Sequence, residues 1–359
     1  MRSDDPAWTK AWLAVDVENT PGTHWAYSNS VTYMLSAILQ KVTGERLVDY
    51  MKPRLFDPLG IANPIWDNSP DGVSLGGSGL RVRTEDILRL GQLYLNRGKW
   101  EGAQLVPESW VEEATKVQPT SPPNDRMGYH FMVFPDREAF GTGGLFGQSC
   151  TIAPNKNGAV AITAGVRHGK MKTIDDLVWK HLFPAMGASP LPDDEEASMA
   201  LAGRLRSLAL PPQEGRPDSP MATEVSGLRF KFPENDRGIT SVQLEPNRDG
   251  TVLVLGDGNT THRISCGRGS WTAGRTRFEP PALVKLGVTH DGSDVPCAAC
   301  GAWTADDAFV AKLSYTETPF IEALTLKFEP DSVTFDQLGN LSMLGWDARK
   351  RPQLVGISG

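Results

Sequence analysis

The sequence predicts an α+β region followed by an all-β sandwich or barrel, and three observations carry that expectation. Apolar residues recur at helical spacing early in the chain, as in Val31, Met34, Leu35, Ile38, Leu39 and Val42. After the Pro-rich stretch "QPTSPPNDR" the period changes to that of strands. From residue 226 onward the apolar segments are short, rich in β-branched residues and spaced at about 8 to 12 residues between turn signals.

Each element follows in order. "NSVTYMLSAILQKVTG" lines up one apolar helical face, with Gly44 where a left-handed C-cap belongs. "ERLVDYMKPRLFDPLGI" predicts a shorter helix cut by Pro53 and closed by the Pro58–Gly60 turn. "SLGGSGLRVRTEDILRLGQLYLNRGKW" reads as a Gly-rich loop, an N-cap at Thr84 and a helix through Leu95, and "VPESWVEEATK" as a short helix entered at Pro107. "MGYHFMVF", "LFGQSCTIAP" and "GAVAITAGV" suit an antiparallel meander. "MKTIDDLVWKHLFPAM" returns to helix and is expected to pack on that sheet through Ile174, Leu177, Val178, Leu182 and Phe183. Residues 186–225 hold a polar helix among prolines and read as a linker between a region at 1–185 and a β domain at 226–359. The strands expected there are "GLRFKF", "ITSVQLEP", "GTVLVLGDG", "THRISCG", "ALVKLGV", "DAFVAKLSYT", "EALTLKFEP" and "SVTFDQ".

Composition excludes several function classes. A formal charge of −7, from 36 Lys+Arg against 43 Asp+Glu, supplies no basic stripe for phosphates, so nucleic acid is not an expected partner. No run approaches the roughly 18 apolar residues of a membrane span, and the acidic start "MRSDDPAWTK" lacks the pattern of a signal peptide. A soluble segment is expected, its compartment left open. The four cysteines, Cys150, Cys266, Cys297 and Cys300, are too sparse for a disulfide framework. "CAAC" at 297–300 has no second Cys-x-x-Cys or His-x-His to complete a metal site, and reads as a loop or strand end whose thiols can pair locally. His24, His130, His168, His181, His262 and His290 are scattered. Neither a metal nor a cofactor is expected.

"HWAYSNSVTYM" sets a tyrosine and an asparagine two residues apart at the mouth of a helix. By itself "YSN" is an aromatic packing residue and a helix cap. Its surroundings add to that. "PGTHWAYSNSVTYMLSAILQKVTGERLVDYMKPRLFDPLGI", then "GGSGLRVRTEDILRLGQLYLNRGKWEGAQLVPESWVEEAT", then "FGTGGLFGQSCTIAPNKNGAVAIT" together resemble the second half of the serine β-lactamase and penicillin-binding-protein superfamily, on its class C and esterase side. The likeness covers residues 20–184, and the region after 226 more weakly resembles a lipocalin-like domain appended to some relatives.

That resemblance implies an incomplete β-lactamase/transpeptidase-like domain and a site. Tyr27 would transfer a proton, its phenol brought down from about 10 by nearby cations, and Asn29 would hold the substrate's amide carbonyl. The family's Lys-Thr-Gly or His-x-Gly strand corresponds to "FGTGG", where Thr142 replaces the cation, Gly143 and Gly144 allow close approach, and the N–H near Leu145 matches an oxyanion donor. The first motif, Ser-x-x-Lys, matches no serine in the sequence, and "SGLR" at 78 offers an Arg that cannot act as a base. The resemblance therefore implies a serine hydrolase of esterase, D-amino-acid peptidase or β-lactamase type, acting on a small-molecule or peptidoglycan-like substrate and inactive in the chain as given. The alternatives are a non-catalytic descendant that binds a ligand or protein, and a chain whose β domain carries the role. A fold without its first strands would leave a sheet edge and an apolar surface for a homodimer or a partner chain to cover.

Overall fold

Two helices open the first unit, and an aromatic contact joins them. Helix α1 (Trp8–Leu13) sets Trp8 edge-on to Tyr33 of α2 (Asn29–Thr43), with ring centroids 5.8 Å apart. The computed structural model describes residues 7–119, 126–167, 170–187, 189, 192–258, 260–278, 294–341 and 352–359. The expected strand "ALVKLGV", His168 and His290 lie outside the described residues. The chain divides into two units at 191/192, each described by itself.

Tyr33 and Met34 seat α2 against Trp8 and Leu75. The Tyr33 hydroxyl lies 3.0 Å from Asp71 Oδ1 and 3.1 Å from Ser69 Oγ, so its polar tip is satisfied inside the cluster. Burial pushes the phenol's pKa up, and so does the Asp71 carboxylate. Gly44 ends α2 at φ +74°, donating its N–H to the Gln40 carbonyl at 2.9 Å. The apolar stripe faces outward: Val31, Leu35, Ile38 and Val42 are 45, 51, 54 and 80% exposed.

Helix α3 (Leu47–Met51) runs on through a π-helical turn at Lys52–Phe56, in place of the break expected at Pro53. Asp57 N–H donates to the Lys52 carbonyl and Ile61 N–H to that of Phe56, both at 2.8 Å and five residues apart. The wider turn moves the hydrogen-bond ladder past a residue that has no N–H to give. Phe56, Leu59 and Ile61 thereby reach one cluster with Leu93. Each such burial contributes about 1.5–3 kcal/mol.

Short pairs β1 (Ile65–Trp66) with β2 (Leu80–Arg81) precede α4 (Thr84–Leu95), and β3 (Lys99–Trp100) with β4 (Ala103–Gln104) follow it. Arg83, one residue earlier than expected, is the N-cap of α4: Asp86 Oδ2 accepts its backbone N–H at 3.0 Å, while Thr84 Oγ1 meets Thr163 Oγ1 at 2.8 Å. Buried Asp86 also accepts from Arg89 Nη1 at 3.1 Å, and Arg89 donates to the Gly60 carbonyl at 2.6 Å. Helix α5 (Glu108–Ala114) leads to the sheet β5 (Met132–Phe134), β6 (Ala139–Gly144), β7 (Gln148–Ala153) and β8 (Gly158–Ile162), antiparallel in that order.

Helix α4 packs on β7 and β8 so closely that a Cβ on Gly91 would stand 2.5 Å from Cys150 Sγ. Helix α6 (Met171–Leu177) passes into a second π-helical turn, Val178–Leu182. Val178 and Phe183 are buried, while Leu177, just before the five-residue step, and Leu182, at its end, face outward at 52 and 47% exposure, so two of the five expected packing residues miss the sheet.

The second unit starts with α7 (Glu195–Ser207), capped by Asp194, whose Oδ1 accepts from Ala197 N–H at 2.8 Å, and α8 (Pro220–Val225), capped by Ser219. Ten strands follow among the described residues: β9 (Arg229–Lys231), β10 (Ile239–Asn247), β11 (Gly250–Asp257), β12 (Thr260–Gly267), β13 (Thr272–Thr276), β14 (Val295–Ala305), β15 (Ala308–Tyr315), β16 (Ile321–Glu329), β17 (Ser332–Gly339) and β18 (Leu354–Ser358). Nine of them close into a barrel, the choice between sandwich and barrel thus falling on the barrel. β18 pairs antiparallel with β9, one parallel bridge from Gly267 to Cys300 joins β12 to β14, and β13 pairs antiparallel with the adjoining stretch of β14, Val295–Ala299. Inward side chains fill the interior, with Trp303 at 5.5 Å from Phe309 and 5.8 Å from Phe328, and Phe232 at 5.9 Å from Phe335.

"CAAC" is neither a loop nor a strand end, since it occupies the middle of β14. All four cysteines are free and buried, so the local pairing expected of 297 and 300 is absent.

Two expectations follow. Gly91→Ala gains about 1 kcal/mol of helix preference but overpacks Cys150, and a net loss of about 1–2 kcal/mol is expected by urea unfolding. The double variant with Cys150→Ala recovers most of it; an equal loss in both would place the strain elsewhere. Burial pushes the Cys150 thiol up to about 11 and the Cys266 thiol up to about 12. Ellman's reagent at mildly alkaline pH is therefore expected to label none of the four thiols in the folded chain and all four in guanidinium.

Candidate functional site

The chain enters α2 with Ser28 extended at the N-cap position and no side-chain capping bond. Asn29 is the first helical residue, and its Oδ1 instead accepts the Tyr27 hydroxyl at 2.9 Å. Tyr27 is 73% exposed. Neither plain role of "YSN" is therefore realised, because the tyrosine does not pack and the asparagine does not cap. What remains is a phenol presented to solvent beside an amide.

The Gly-rich loop lies over this same turn. A Cβ on Gly76 would stand 2.6 Å from the Thr32 carbonyl oxygen, and one on Gly77 would stand 3.2 Å from Thr32 Cβ and 3.6 Å from the Asn29 carbonyl oxygen. Gly76 also holds φ +70°, a left-handed conformation natural only to glycine. Asp67 fixes both ends of the loop. Its N–H donates to the Gly79 carbonyl and its carbonyl accepts from Leu75 N–H, each at 3.0 Å. Its carboxylate meets Arg81 Nη2 at 2.6 Å, with side chains 12 and 20% exposed. The sequence reading leaves Asp67 unmarked and meets Arg81 only as the Arg of "SGLR", without its partner. An Asp and an Arg fourteen positions apart carry no local signal, and only the β1–β2 pairing brings them together.

On the sheet, Thr142, Gly143 and Gly144 end β6, paired with Cys150, Ser149 and Gln148. Thr142 and Gly143 are exposed and Gly144 is half-buried. The Met132 methyl covers one side of Gly143, 2.6 Å from where a Cβ would be. Leu145 opens the turn to β7 and is 44% exposed, and its N–H meets no acceptor among the described residues. Phe146 anchors the turn, buried at φ +68°, with its carbonyl accepting from Val166 N–H at 3.0 Å. The structure thus joins Tyr27 to Asn29, and Thr142 to Leu145. Among the described residues no hydrogen bond links the two groups.

The profile of the Beta-lactamase family matches residues 3–182. Among solved structures, a protein from Bacillus anthracis described as a 6-aminohexanoate-dimer hydrolase is similar at 19% identity over 49% of this chain and 48% of its own, with a TM-score of 0.43. SurE, solved with D-Leu, is similar at 19% identity over 88% of this chain and 73% of its own, with a TM-score of 0.42. An octameric penicillin-binding protein homologue from Pyrococcus abyssi is similar at 14% identity over 94% of this chain and 66% of its own, with a TM-score of 0.36. No curated protein matches the sequence. The chain spans about half the length of the Bacillus anthracis protein. With half of the residues under one profile, and the Tyr-x-Asn turn, Gly-rich loop and Gly-Gly strand all inside it, the chain belongs to the Beta-lactamase family.

Proposed function

We propose that the chain is the substrate-cleft portion of a β-lactamase-family serine hydrolase of esterase, D-amino-acid peptidase or β-lactamase type. The observation that carries this reading is the exposed Tyr27 hydroxyl bonded to Asn29 at 2.9 Å, a pair otherwise without a structural task. Tyr27 carries the proton between nucleophile and leaving group, and Asn29 holds the amide carbonyl of the substrate. Leu145 N–H donates to the developing oxyanion. Thr142 hydrogen-bonds the substrate but brings no charge, so the site is weaker at lowering a phenol's pKa than one with a lysine there. The aromatic packing inside the barrel, among the described residues, supports a role for the β domain at its outer surface.

No serine in the sequence is followed three residues later by a lysine, and on this reading the chain alone holds no acylating pair. In a serine hydrolase, loss of the nucleophile costs on the order of a million-fold in rate. The chain alone is expected to form no adduct with a fluorophosphonate or a penicillin probe, read by intact-mass spectrometry. A covalent adduct on any serine would refute that expectation.

The exposed face of α2 is the surface on which the Ser-x-x-Lys portion of the hydrolase packs. Without that portion, the chain is expected to self-associate in sedimentation, and Leu35→Glu with Ile38→Glu to abolish association while changing stability by less than about 0.5 kcal/mol. A monomer at all concentrations, unfolding cooperatively, would remove the case for a covered face.

A further inference from the structure

The barrel carries a second concave feature that the hydrolase reading does not use. A polar depression of about 350 Å³ is lined by His262, Arg263, Arg275, Arg277 and Asp294, together with threonines of β12 and β13. Arg275 and Arg277 alternate along β13 and its extension, which sends both side chains to one face. Both reach Asp294: Arg277 Nε lies 2.8 Å from its Oδ1, and Arg275 Nη2 donates to its backbone carbonyl.

Charge accounting separates these groups. Arg263 is neutralised by Glu245 through two bonds, at 3.1 and 2.5 Å. Arg277 is neutralised by Asp294. Among the described residues Arg275 has only the neutral carbonyl, and no carboxylate lies within ion-pairing reach of it. Among the described residues Arg275 is thus the guanidinium of this group without a paired carboxylate, and Asp257, beside His262, is the carboxylate without a paired guanidinium or ammonium. The imidazole of His262 is buried, its side chain 3% exposed and its ring edge-on to Phe278 at 5.8 Å. Its Nε2 is 2.8 Å from Asp257 Oδ2 but out of hydrogen-bonding alignment, so the ring has a neighbouring charge and no directed partner. A guanidinium that holds only a backbone carbonyl, in the same depression as a buried imidazole whose Nε2 lacks an aligned acceptor, leaves N–H donors for a ligand that brings oxygen acceptors.

We propose that this end of the barrel binds a small oxyanion, a phosphate or a carboxylate group, held chiefly by Arg275 with Arg277 beside it and the His262 edge in the floor. A phosphate takes bonds from both guanidinium groups at once, whereas a carboxylate engages Arg275 through one bidentate pair. The selection is for charge and oxygen geometry, with the body of the ligand left in solvent.

The test is a titration of the full chain with inorganic phosphate and, separately, with succinate, each against chloride at matched ionic strength. The His262 ring protons and arginine Nε–H signals are followed by NMR. Saturable shifts are expected with at least one of the two, with a dissociation constant on the order of a millimolar, and whichever saturates identifies the group. Arg275→Gln, at an exposed position, is expected to weaken binding by about tenfold or more while leaving the melting temperature unchanged. Arg263→Gln, already neutralised, is expected to change it less than about twofold. Shifts that only track ionic strength, or an Arg275→Gln chain that binds as well as the parent, would overturn the proposal.

Discussion

The placement of the Tyr27–Asn29 pair depends on Asp67. Its backbone fixes both ends of the Gly-rich loop, and its carboxylate is held by Arg81. The loop in turn lies on the first turns of α2, where Gly76 leaves no room for a methyl group beside Thr32. A largely buried Asp–Arg pair of this kind adds little net stability when intact, but its loss strands a charge in a low-dielectric setting. Its contribution here is geometric. It keeps a loop of small residues from collapsing elsewhere, and so holds the mouth of the helix open around an exposed phenol.

The same helix shows how uneven the support around the site is. α2 is secured on one side by Tyr33 and Met34 against Trp8 and Leu75, with a polar knot of Ser69 and Asp71 behind. Its other side presents four aliphatic residues to water. Such a face is costly to leave uncovered, and it adjoins the turn that carries Tyr27. The proposed catalytic pair and the proposed association face therefore share one element.

Much of this was legible in the sequence because the relevant signals are local. The spacing from Val31 to Val42, the glycine at 44 and the alternation in "DAFVAKLSYT" each determine an element within a few residues. Periodicity could identify the apolar stripe of α2 but not whether anything covers it, since a stripe is the same letter pattern with or without a neighbour. The two π-helical turns were hidden for a related reason. A single five-residue step leaves composition unchanged but rotates every later side chain, and Leu182, at the end of the step, points outward. β13 and most of β14 went unread because "TAGRT" and "CAACGA" are built from small residues of weak strand preference, held in place by their neighbours. Of the candidate site, the sequence pattern marked the residues at both places, while the clamp at Asp67 and Arg81 required the fold.

The barrel's closure is also uneven. Every other junction in the ring carries at least two paired residues, but β12 meets β14 through one bridge, Gly267 to Cys300. That junction carries little backbone pairing of its own, with β13 paired to the adjoining stretch of β14 at Val295–Ala299. The wall of the barrel thus has a hem, where deuterium from solvent is expected to enter early.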